Sequence, residues 1–101
     1  MSAVARVSVD NVNTGHGCDS IAGIEGQLQT KVFINGSPAA VMGDAIASHT
    51  ILSGGSCVPH SAVINQGSSK VFCQGIAIAR VNDSADAGAV ATGSPTCSAG
   101  G

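Results

Sequence analysis

Three imidazoles and a pair of thiols are the side chains in this 101-residue chain best equipped for chemistry: His16, His49 and His60, with Cys18 just after the first and Cys57 just before the last. All three histidines fall in stretches that connect apolar runs, and none falls inside a run. Connectors that leave short hairpins on the same side converge at one end, so these side chains are placed to meet at a point. Three imidazoles joined by a thiolate or a carboxylate make a tetrahedral zinc site. Three imidazoles joined by a water make the open site of a zinc hydrolase instead. Against hydrolysis, Glu25 is the only glutamate, and the chain is short for a substrate cleft.

The elements that must position these groups come from a repeat. The run Lys31 to Asp44 returns 39 residues later as Lys70 to Asp83, with Lys, Val, Phe, Gly, Ala and Asp coinciding. Each copy has a short β-rich run, a turn glycine (Gly36 or Gly75) and a second apolar run ending at aspartate, the pattern of a β-hairpin. The units span about 26–44 and 67–83. A partial third unit at about 89–97 is visible in Ala89 to Ser94, which echoes Ala62 to Ser68, and Ala5-Arg6-Val7 echoes Ala79-Arg80-Val81. A single hairpin cannot bury its apolar face alone, so the units must share one core.

Composition bounds what such a core can do. Phe33 and Phe72 are the only aromatics and 14 residues are glycine, so the core is built from Val, Ile and Ala and folds at a high entropic cost. Chains of this kind need a metal, a disulfide or a partner to hold them. A net charge of −2 with four Lys and Arg leaves no basic stripe for nucleic acid or an anionic membrane. No apolar run is long enough to span a bilayer, and the first residues lack the pattern of a signal peptide. The expectation is a single domain, made in the cytoplasm, with part of its weakly charged surface covered by a partner.

Along the chain, residues 1 to 13 read as a short strand on the core, 14 to 19 as a Gly-flanked loop, and 20 to 27 as a connector. Ala45 to Pro59 reads as the longest insertion, and a turn or two of helix within Gly43 to His49 is the only helical candidate. Ser84 to Ala89 reads as a loop of small residues. Asp44 and Asp83, at equivalent places, are expected to cap turns through backbone N–H groups, and Lys31 and Lys70 to face solvent. Disulfides are disfavoured by cytoplasmic synthesis, and Cys73 is expected as a buried free thiol.

Together these residues resemble the PAAR-repeat proteins. The matching features are Val32 to Asp44 with Pro38-Ala39-Ala40 at its centre, the loop Thr14-Gly15-His16-Gly17, the Ser48-His49 pair, and Gly93-Ser94-Pro95-Thr96. Val41 stands where the name-giving motif has Arg, and Ile76-Ala77-Ile78-Ala79-Arg80 is its diverged second copy. The resemblance runs from about Gly15 to Thr96. It implies a mostly β, small cone-shaped fold of repeated hairpins with pseudo-threefold symmetry and a metal site near the vertex. The implied role is structural and not enzymatic: one copy caps a trimeric β-helical spike in a phage tail, a tailocin or a type VI secretion needle. There it sharpens the tip for transient contact with a target cell membrane. Toxin extensions occur in the family, and none is expected here. The zinc hydrolase and an adaptor that docks an effector on the spike are the alternatives.

Carried over from the family, the ligands are His16, His49 and His60 around a zinc, with iron as an acceptable substitute. The fourth position is where this sequence departs: Ala87 stands where the family commonly has Cys or His. Cys57 is the expected replacement, with Asp86 second and Cys18 third; a water is a further option.

Overall fold

The computed structural model describes residues 2–100. It is all β, with twelve short strands and no helix among the described residues. The strands are β1 (Ser2–Ala3), β2 (Asn11–Asn13), β3 (Ile21–Gly23), β4 (Phe33–Ile34), β5 (Ser37–Pro38) and β6 (Ala45–Ser53). They continue with β7 (Ser56–Val63), β8 (Phe72–Cys73), β9 (Ile76–Ala77), β10 (Ser84–Ala85), β11 (Gly88–Val90) and β12 (Ser98–Ala99). Among the described residues no helix is long and apolar enough to cross a membrane.

The two repeat hairpins form as their turn chemistry dictates. β4 pairs with β5 and β8 with β9 across two-residue turns, Asn35-Gly36 and Gln74-Gly75, whose four φ angles are all positive (53°, 84°, 51° and 80°). This left-handed pair matches the twist of the flanking strands, and glycine takes its second place at no steric cost. A third antiparallel pair, with no connecting turn, joins the two ends of the described chain, β1 against β12. The third unit is therefore built from residues 94–99 and 2–10, and it takes in the echo at Ala5-Arg6-Val7, whereas Gly88–Val90 belongs to β11.

The same bonds recur in all three units. A buried side chain, Gln29, Ser68 or Ser94, accepts from the N–H groups two and three residues on. A buried aspartate, Asp10, Asp44 or Asp83, accepts from the backbone N–H of Arg6, Val41 or Arg80. Asp44 and Asp83 thus cap their turns, with Asp10 as a third member. Where the units meet, the Ala5 N–H donates to the Ala79 carbonyl (3.0 Å), Ala79 to Ala40 (2.8 Å) and Ala40 to Ala5 (2.9 Å). This closed ring of three hydrogen bonds has each alanine at 0% exposure. Three backbones in mutual contact leave room for a methyl and no more, which explains alanine at all three positions.

Strand alternation sends the neighbours of the ring into two cores. Val4, Ala39 and Ile78 join one cluster with Val41 and Cys73; the alanines join the other with Ile24, Ile46, Ile64 and Val90. The second cluster lies inside six strands. β10, β11, β2 and β3 form one sheet, and the bridges Ile24 to Ile46 and Ile64 to Ala85 link β3 to β6 and β7 to β10. The strands thus close on themselves as three hairpins: β2–β3, β6–β7 and β10–β11. The molecule measures 41 × 23 × 22 Å, one long axis and two nearly equal short ones.

Several expected connectors are ordered strands. Ala45 to Pro59 is most of the long β6–β7 hairpin, paired from Ala45 with Val63 to Ser53 with Ser56, and it turns at Gly54-Gly55 with φ of 59° and 83°. The helical candidate at Gly43 to His49 is the start of β6, where β-branched Ile46, Thr50 and Ile51 suit a pleated strand better than a helix. Residues 20 to 27 contain β3, and Ser84 to Ala89 is the β10–β11 hairpin. Lys31 and Lys70 are exposed and Cys73 is a buried free thiol.

Candidate metal centre

All three hairpins of the six-strand ring deliver side chains to one place. His49 and His60 sit directly opposite each other on β6 and β7, brought into register by a bulge between Ile46 and His49. His16 comes from the β2–β3 loop. Asp86 comes from the β10–β11 turn, where its φ of 53° is one that aspartate tolerates. One ligand atom from each of the four residues lies within 4.8 Å of the others.

The contacts converge on the carboxylate. Nε2 of His16 is 2.9 Å and Nε2 of His60 is 3.2 Å from Asp86 Oδ1, and Nε2 of His49 is 2.7 Å from Oδ2. The rings stand 5.0 to 5.8 Å apart, centroid to centroid. Burial pushes the Asp86 carboxyl upward, but hydrogen bonds from His16, His60 and His49 outweigh it and hold the group below the usual carboxylate range. A hydrogen bond to the Ala47 carbonyl raises the His49 pKa; burial opposes this and Asp86 adds to it.

Three of the four ligands have supporting bonds of their own. His49 Nδ1 lies 2.9 Å from the Ala47 carbonyl, so Nδ1 carries a proton and Nε2 faces the centre. This is the usual outer partner of a metal-bound imidazole. Buried Thr14 shapes the His16 loop: its Oγ1 donates to the Asp19 carbonyl at 2.6 Å and accepts from the His16 N–H at 3.2 Å. The Asp19 carboxylate in turn accepts from the Thr50 N–H and Oγ1, tying the loop to β6. Asn65 Nδ2 donates to the Asp86 carbonyl at 3.1 Å. Thr14, Asp19 and the Ala47 carbonyl escape sequence reading; the cue for the first two is a loop opening on Thr and closing on Asp, both of which bond locally to backbone.

Three imidazoles and a carboxylate turned inward on one point, with the outer nitrogen of His49 engaged by the Ala47 carbonyl, have the makeup to hold a metal ion. Four donors from the protein complete a tetrahedral set, with bonds of about 2.0 to 2.2 Å for a zinc-sized ion. Cys57 is not one of them. It is bonded to Cys18 (Cα to Cα 6.0 Å), which corrects both the expected fourth ligand and the expectation that disulfides are absent. The reason is parity: Cys57 and His60 are three apart on a strand, so their side chains leave opposite faces of β7. Asp86, the second choice, occupies the fourth position, and the bond to Cys57 removes Cys18 as well. No protein-family model and no curated protein matches the chain.

Proposed function

We propose that this chain is a structural tip protein of the PAAR type: a cone of pseudo-threefold symmetry that caps a trimeric β-helical spike of a contractile injection machine, with zinc tying its vertex. The observation that carries this reading is the alanine ring, with the capping bonds that recur around it three times. A single chain with three like faces is what a threefold partner can seat without leaving one of its own subunits uncovered.

The two ends of the molecule suit the two tasks. The hairpins that carry no ligand present Phe33 at 54% and Phe72 at 56% exposure, at equivalent places in the repeat. A partner seated on these hairpins would cover both rings. The hairpins that carry ligands are joined by the centre, and zinc binding there supplies folding free energy that a core of Val, Ile and Ala lacks. Iron would accept the same donors. The complete set of protein ligands favours a structural over a hydrolytic metal.

The reading is tested by mixing the purified chain with a trimeric β-helical spike from the same organism or phage and weighing the complex by native mass spectrometry. One chain per trimer, lost in the double variant Phe33→Asp, Phe72→Asp, is the expected result. No complex, or three chains per trimer, would overturn it.

A further inference from the structure

The β2–β3 loop grips the β6–β7 hairpin on both faces. On one face His16 meets His49 and His60. Alternation turns Thr50 and Cys57 to the other face, and there the same loop bonds again: Asp19 to Thr50 by hydrogen bonds, and Cys18 to Cys57 by the disulfide. Cys18 lies two positions after His16 and Cys57 three positions before His60, so the metal centre and the disulfide hold the same two segments. Cys57 is exposed and Cys18 half-buried, whereas the His49 ring is buried. A soluble thiol reagent therefore reaches the disulfide without disturbing the ligands.

We infer that the Cys18–Cys57 disulfide is a redox lock on the metal centre, an inference that rests on the metal-tied vertex proposed above. Oxidised, it keeps His16 beside the centre, so that a ligand which lets go is recaptured at high effective concentration. Reduced, the loop is retained on that face by the exposed bonds from Asp19, and His16 departs with it more often. The chemistry is thiol–disulfide exchange with a dithiol. One thiolate of the reagent attacks a sulfur of the pair, the other cysteine leaves as thiolate, and the second thiol of the reagent closes its own disulfide. Two electrons and two protons pass to Cys18 and Cys57. A protein assembled under reducing conditions thus exchanges its metal freely, and on reaching an oxidising exterior it retains it.

The test is the rate at which zinc passes from loaded protein to a chromogenic chelator, compared between oxidised wild type, wild type reduced with a phosphine and then reoxidised, and the double variant Cys18→Ser, Cys57→Ser. Thiols of the denatured, oxidised protein are titrated alongside. Two free thiols, and a release rate that rises about ten-fold or more on reduction and falls back on reoxidation, are the expected results, with the double variant matching the reduced protein. Equal rates in the oxidised and reduced forms, or four free thiols after oxidation, would overturn the lock while leaving the metal centre standing. Oxidised wild type that takes up no zinc would overturn the centre, and the lock with it. If the double variant fails to fold, the reversible reduction of wild type decides alone.

Discussion

At the scale of single residues, the centre is a competition between protons and metal. Without metal, three imidazoles face one carboxylate, and the folded state raises the His49 pKa and lowers that of Asp86. A histidine whose folded pKa is raised contributes stability that is complete below its unfolded value of about 6.5 and is lost as pH rises through the folded value. A carboxylate whose folded pKa is lowered contributes stability present above about 3.9 and lost as pH falls through the folded value. Metal reverses the histidine side of this, because ligation requires the neutral ring. Between about pH 6 and 8 the thermal midpoint in chelator is expected to fall with pH, whereas that of the zinc-loaded protein holds or rises. Parallel slopes in the two forms would show that no metal engages these histidines.

At the scale of elements, the outcome turned on whether a stretch was read as a loop or a strand. The repeat hairpins were legible because Asn35-Gly36 between apolar runs is a strong turn signal, and its copy at Gln74-Gly75 doubled it. The β6–β7 hairpin carries an equally good signal in Gly54-Gly55. It was obscured by polar neighbours, by the bulge before His49 and by Pro59, which demotes a run that is in fact a paired strand. Once Cys57 and His60 are taken to share a strand, their odd spacing alone excludes them as joint ligands. Asp86 was harder to place, since nothing local distinguishes it from any aspartate in a turn. Its position depends on how closely β11 approaches β2, and Gly88 sets that distance: a Cβ there would collide with the Asn13 carbonyl. Gly88→Ala is accordingly expected to destabilise by about 1 to 3 kcal/mol, as overpacking does, and to weaken metal binding because Asp86 lies two residues before it. A variant with unchanged midpoint and unchanged metal affinity would refute this account of the turn.

At the scale of the whole molecule, three units meet at an alanine ring, and the third unit is assembled from both ends of the described chain. That closure was only half visible in the sequence, because β1 and β12 are far apart along the chain and pair only once the fold exists. One asymmetry persists inside the ring. Arg6 and Arg80 each pair with the aspartate of their unit, but Val41 leaves Asp44 with backbone donors alone, and burial pushes that carboxyl upward. The fold tolerates valine there because the hydrogen bonds that define the unit come from the backbone. What unites the three ligand-bearing hairpins across the molecule is the centre formed by His16, His49, His60 and Asp86. The most direct measurement of that claim is the zinc and iron content of protein purified without chelator or added metal, in wild type, His49→Ala, Asp86→Ala and Cys57→Ser. About one metal per chain in wild type and Cys57→Ser, lost in His49→Ala and Asp86→Ala, is the predicted result. Metal-free wild type in a folded state, or metal lost in Cys57→Ser and kept in Asp86→Ala, would contradict it.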